Sequence, residues 1–156
     1  MWKPKASKHA DKGKDAEDVV KDVLEAWGAK SPFREWNRLI DTRAARIIIA
    51  AAKADFDFYV GFPDAPGAFG LIEVKETEHE YRLKRSHFPQ FAGMRKREIC
   101  GGTCLVLVFH STLKRWRVAS LAWCHDNGDV GSWDMRNLPL FERAEQALRH
   151  AAPGVF

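Results

Sequence analysis

Apolar and polar residues change their period several times along this chain, and each change marks an element. Ala16, Val19, Val20, Val23, Leu24 and Trp27 recur at intervals of three and four, which predicts a helix over 15–28 with one buried stripe. Asp15, Glu17 and Asp18 stand in its first turn, where acids suit the helix dipole, and Gly28 is a natural stop. Glu17 falls just past the edge of the stripe, able to look into a neighbouring cleft or simply to complement the dipole. From 54 to 61 the period becomes two: Asp55, Phe56, Asp57, Phe58 and then Val60, the pattern of a half-exposed strand. Pro63, Pro66, Gly67 and Gly70 mark a loop, and residues 71–76 read as the next strand.

A helix follows over 86–99, with Ser86 as N-cap, Pro89 near its first turn and Gly101-Gly102 as its end. Phe88, Phe91, Met94 and Ile99 are its candidate core residues. Residues 103–109 form a nearly continuous apolar run, as expected of a central strand buried on both faces. Residues 115–121 alternate as a further strand, Asn127-Gly128 signals a turn, and residues 138–150 pattern as an amphipathic helix. The stretch 43–53 combines a β-branched centre with alanine-rich flanks and fits a strand or a buried helix equally well. This order of elements predicts an α/β fold, a central mixed sheet flanked by helices.

Composition narrows the function classes. No apolar run approaches the roughly 20 residues of a membrane-spanning helix, and the basic N-terminus lacks the apolar centre of a secretory signal. The three cysteines, Cys100, Cys104 and Cys124, fit neither a disulfide framework nor a zinc spacing, so reduced thiols in a cytoplasm are expected. The net charge of +4 is uneven, because Lys3, Lys5, Lys8, Lys12 and Lys14 face only Asp11 in the first 14 residues. We therefore expect a flexible basic arm over 1–14 and a folded domain over 15–156. Such an arm suits a polyanion, where each neutralised phosphate releases counterions, and equally serves as a solubilising tail.

The candidate chemistry lies between Asp55 and Thr77. Glu73 and Lys75 share one face of their strand, and Asp55 and Asp57 share one face of theirs. Side by side, the two segments would join two or three carboxylates to a lysine. Oxygen ligands of that kind hold a hard divalent cation, and the ammonium sits beside it, a combination able to cut a phosphodiester with an activated water.

Asp57, Glu73 and Lys75 resemble the PD-(D/E)xK nuclease signature, with Asp57-Phe58 where the usual form has Pro-Asp. The longer run Asp57-Phe58…Gly61…Ile72-Glu73-Val74-Lys75-Glu76-Thr77 is similar to RecU-type Holliday junction resolvases. The likeness continues into Ser86-His87-Phe88-Pro89-Gln90 and Leu105–Phe109, while Gly13-x-x-x-Glu17 resembles the helix signature of Hjc-type archaeal resolvases. The resemblance implies a restriction-endonuclease-like fold and a metal-dependent endodeoxyribonuclease. It would resolve four-way DNA junctions as a homodimer in a prokaryotic or phage-infected cell. It further implies that Asp57 and Glu73 bind Mg²⁺ or Mn²⁺ with the Val74 carbonyl, and that Glu17 completes the site directly or through water. Lys75 would orient the attacking water, and Gln90 would position that water or a phosphate. Asp55 is the alternative first acid, or an outer carboxylate on the same strand face. Candidate DNA-backbone contacts are Lys3, Lys5, Lys8, Lys12, Lys14, Arg34, Arg43, Arg46, Arg82, Lys84, Arg85 and Lys96. Alternative readings are another nuclease of this superfamily acting on duplex, flap or mismatched DNA, or a non-catalytic DNA-binding protein of the same fold.

Overall fold

Helix α1 (Lys8–Gly28) opens a computed structural model that describes residues 8–38, 57–61, 69–89, 91–99, 101–127 and 131–156, with residues 8–15 and 69 as backbone only. The helix begins seven residues before the expected position, at Lys8. Ala16, Val20, Leu24 and Trp27 form its buried stripe, while Val19, expected in that stripe, is 44% exposed. A turn through Ser31 and Pro32 leads to β1 (Trp36–Arg38). The ambiguous stretch 43–53 lies outside the described residues.

Strands β2 (Phe58–Gly61) and β3 (Phe69–Thr77) are the two predicted around the acids. After β4 (Arg82–Lys84) come α2 (Phe91–Ile99), β5 (Thr103–His110), β6 (Arg115–Ser120), α3 (Leu121–Asp126), β7 (Ser132–Asp134) and α4 (Ala144–Ala151). The main sheet runs β1-β2-β3-β5-β6, with β3 and β5 parallel and the other pairs antiparallel. β4 and β7 make a separate two-stranded sheet. The mixed sheet flanked by helices is therefore as expected.

Successive residues of β5 feed opposite sides of this sheet. Leu105 and Leu107 join Ile72, Val74 and the stripes of α1 and α4 in one core. Cys104, Val106 and Val108 join Leu71, Phe88, Met94, Cys124 and Trp133 in the other. The burial of β5 on both faces is what its unbroken apolar run predicts. Trp116 and Trp133 are core residues, and Trp36 and Trp123 are half-buried against the same two clusters.

Two helix starts differ from expectation. Ser86 caps nothing: Arg85–His87 is a single 3₁₀ turn, and α2 begins only at Phe91. Proline disfavours the helical region for the residue before it, and Phe88, ahead of Pro89, has φ −127° and ψ 63°. Phe88 drops into the core instead, whereas Ile99 is 72% exposed. The last helix starts at Ala144 rather than 138, because Phe141 exchanges two 2.8 Å backbone hydrogen bonds with Trp116 and extends the sheet edge. Residue 121 leaves the strand and begins α3, capped where Ser120 Oγ accepts from the Trp123 N–H at 3.1 Å.

Candidate active site

The acids collect where β2 runs out alongside β3. Phe58 pairs with Ile72, and the Asp57 N–H extends the ladder by donating to the Ile72 carbonyl at 3.1 Å. The Asp57 side chain also reaches β3. Its Oδ2 accepts the Val74 N–H at 2.6 Å. The N–H and C=O of one strand residue lie on the same edge, so the Val74 carbonyl is directed to the side on which Asp57 stands.

Ile72 and Val74 point into the core shared with α1, which turns Glu73 and Lys75 to the opposite face. Glu73 is 1% exposed. Its Oε1 meets Lys75 Nζ at 2.5 Å, while its Oε2 is buried without a hydrogen-bond partner among the described residues. Lys75 lies 5.6 Å above the Phe88 ring, so the residue displaced from α2 by Pro89 forms the apolar wall behind the ammonium. Glu17 reaches the same neighbourhood from α1. Arg38 of β1 holds it at 2.5 Å and also meets Asp18 at 3.3 Å.

These placements set the protonation of the pair. Burial pushes the Asp57 carboxyl up to about 6; the Val74 N–H opposes this, and the Glu17 charge adds to it. Burial, and then the Asp57 charge, push Glu73 up to about 8 against the pull of Lys75. Two carboxylates coupled in this way titrate as a unit, which retains a proton at neutral pH. A divalent cation would replace that proton and satisfy the orphaned Oε2, so the donor set fits a hard metal ion. Among the described residues no three His, Cys, Asp or Glu side chains converge for that purpose. The fit therefore rests on two carboxylates and the Val74 carbonyl, with Glu17 held back by Arg38.

Sequence reasoning missed Arg38. It lies 21 residues from Glu17 on a three-residue strand, and nothing in its local pattern set it apart. Asp55, Gln90, Lys3, Lys5, Arg43 and Arg46 lie outside the described residues, and Lys8, Lys12 and Lys14 are placed only as backbone on α1. Arg34 donates to the Trp27 carbonyl at 3.0 Å and lies 5.1 Å over the indole, at the far end of α1. Arg82 and Lys84 are exposed on β4, Arg85 lies 5.5 Å over the Phe91 ring, and Lys96 is exposed on α2. Cys104 and Cys124 are buried thiols pushed up to about 11 and about 12.

Fold and site together define an α/β protein with a buried glutamate and a lysine on the central strand and a part-buried aspartate beside them. No protein-family model matches the chain, and neither does any curated protein sequence. Among solved structures it is similar to Hjc, a Holliday junction resolvase from the archaeal hyperthermophile Archaeoglobus fulgidus. The two share 13% identity over 86% of this chain and 97% of that one, with a TM-score of 0.49. No helix among the described residues is long and apolar enough to cross a membrane.

Proposed function

We propose that this protein is a PD-(D/E)xK endodeoxyribonuclease that resolves four-way DNA junctions by metal-dependent phosphodiester hydrolysis, acting as a homodimer. The observation that carries the reading is the buried Glu73, bound through one oxygen to Lys75 and left with the other oxygen unsatisfied beside the raised Asp57 carboxyl. An ordinary ion pair would not need a second coupled acid, and a buried charge without a partner is costly.

In this reading Asp57, Glu73 and the Val74 carbonyl are the metal donors, and Glu17 takes part through water. When bound, Mg²⁺ or Mn²⁺ would supply Lewis-acid activation of the attacking water and charge stabilisation at the leaving oxygen. The Val74 N–H fixes the Asp57 carboxylate in place. Lys75, with its side chain 16% exposed, orients the nucleophile and offsets charge developing on the phosphorus oxygens. Phe88 keeps water from the buried side of the ammonium. Cutting two strands symmetrically needs two such sites, hence a two-fold dimer.

The test is incubation of the purified protein with a synthetic four-way junction and a matched linear duplex, with Mg²⁺ or with EDTA. Paired nicks on the junction alone, abolished by EDTA, are expected. Equal cutting of both substrates would replace the resolvase reading with a general nuclease, and binding without cutting in any metal would remove the enzymatic one.

A further inference from the structure

β3 carries its face past Lys75 to Thr77, about 7 Å further at roughly 3.3 Å per residue. There the chain opens a pocket of about 270 Å³ lined by Thr77, His79, Arg82, Lys84, His87 and Ser132. We infer that this pocket is a seat for one backbone phosphate flanking the phosphate that is cut, an inference that rests on the nuclease reading above.

Among the described residues its lining has two permanent cations, two imidazoles, two hydroxyl side chains and no acid. Leu83 turns inward and is buried, so Arg82 and Lys84 on either side of it share the outward face of β4. The acid opposite Arg82 in the ladder is Asp134, and it is already taken: Arg136 Nη2 meets its Oδ2 at 2.6 Å, and Arg136 Nε its Oδ1 at 3.1 Å. Arg82 lies 5.5 Å over the Tyr81 ring, and its charge also acts on Asp134. Cations with a hydroxyl nearby are the set that holds a phosphate oxygen, and a volume just below the about 300 Å³ of the smallest drug-sized sites suits one such group with its water.

The pocket is also built to keep its shape. The carbonyls of the 77–81 turn are each gripped from below. Ser111 N–H donates to Thr77 at 2.9 Å, Thr112 Oγ1 to Glu78 at 2.6 Å, His110 Nδ1–H to His79 at 2.6 Å, Arg117 Nη1 to Glu80 at 2.6 Å and Met135 N–H to Tyr81 at 2.7 Å. Thr77 Oγ1 closes the turn by donating to the Arg82 carbonyl at 3.1 Å. The far wall, β7, is anchored by the buried Trp133, whose Nε1–H donates to the Cys124 carbonyl at 2.7 Å. Buried His110 and Arg117 take no part in the proposed chemistry. Their bonds to this turn are a reason for polar groups to lie in a core, because a pre-shaped seat loses little ordering entropy on binding.

Fluorescence anisotropy with a labelled duplex and a labelled four-way junction, in EDTA over a series of salt concentrations, tests the seat. The wild type gives the slope of log affinity against log salt. Arg82→Ala and Lys84→Ala should each flatten that slope by at most about 0.9, and the double variant by about 0.9 and no more, because both cations serve one phosphate. Lys84→Arg should keep the wild-type slope, and Lys21→Ala with Lys30→Ala on α1 should leave it unchanged. A double variant that flattens it by about 1.8 would mean two separate backbone contacts and overturn the seat. Unchanged slopes in a wild type that binds and cuts would overturn it while leaving the nuclease reading intact. A wild type that binds neither DNA would remove both.

Discussion

Glu73 and Asp57 hold their protons more firmly in the folded chain than in the unfolded one, where carboxylates titrate near 4. Between about pH 4 and pH 8 the folded state therefore carries the excess of protons. Stability is greatest below that window and falls as pH rises through about 6 and then about 8. Glu73→Gln removes the larger contribution. Urea denaturation at pH 8 should find that variant more stable than the wild type by on the order of 2 kcal/mol, with the gap closing toward pH 4. Added Mg²⁺ should raise the wild-type melting temperature more at pH 8 than at pH 5 and leave Glu73→Gln unmoved, because the cation competes with the shared proton. A pH-independent wild type would contradict the coupled pair. Arg38 acts in the opposite sense on Asp57, holding its carboxyl down while pairing with Glu17. Arg38→Ala should move the Asp57 carboxyl titration, followed by NMR, to higher pH, and a shift downward would show that Arg38 faces elsewhere.

At the scale of elements, what could be read in the sequence was what repeats over enough residues. β5 declares itself by an unbroken apolar run, and β3 by apolar residues flanking Glu73 and Lys75 on alternate faces. The stripe of α1 was legible too, and Leu24→Ala within it should destabilise the chain by about 2–5 kcal/mol in urea titration. β4 and β7 are three residues each, too short for any period, and each exists because the other lies beside it. The start of α2 depends on the pre-proline restriction at Phe88, and that of α4 on a bridge between Phe141 and Trp116. Both are single contacts that override a locally helical pattern. The candidate site divides in the same way. Glu73, Lys75 and Asp57 are legible from strand alternation, whereas the grip of Arg38 on Glu17 comes from tertiary approach and leaves no mark in sequence. Pro89 is testable at this scale. In Pro89→Ala the helical region reopens to Phe88, so α2 should lengthen toward the N-terminus and Phe88 should leave its place under Lys75. Near-ultraviolet circular dichroism identical to wild type would argue against that coupling.

For the whole molecule, the arrangement places the proposed catalytic cluster and a basic pocket on one face of β3, with α1 and α4 packed against the other side of the sheet. A duplex or junction approaching that face would meet the cluster and the cations of β4 together. The homodimer required for paired cuts should appear in sedimentation velocity as a species of twice the chain mass, and a monomer at every concentration would remove the symmetric mechanism. The central claim is narrower: the Glu73–Lys75–Asp57 cluster cuts DNA. It is tested most directly by the single-turnover rate on a four-way junction in Mg²⁺ for the wild type, Glu73→Ala and Lys75→Ala, with junction affinity measured in parallel in EDTA. The account predicts rates at least about 10²-fold lower in both variants, with affinity within a few-fold of wild type. Near-normal cutting by both would contradict it.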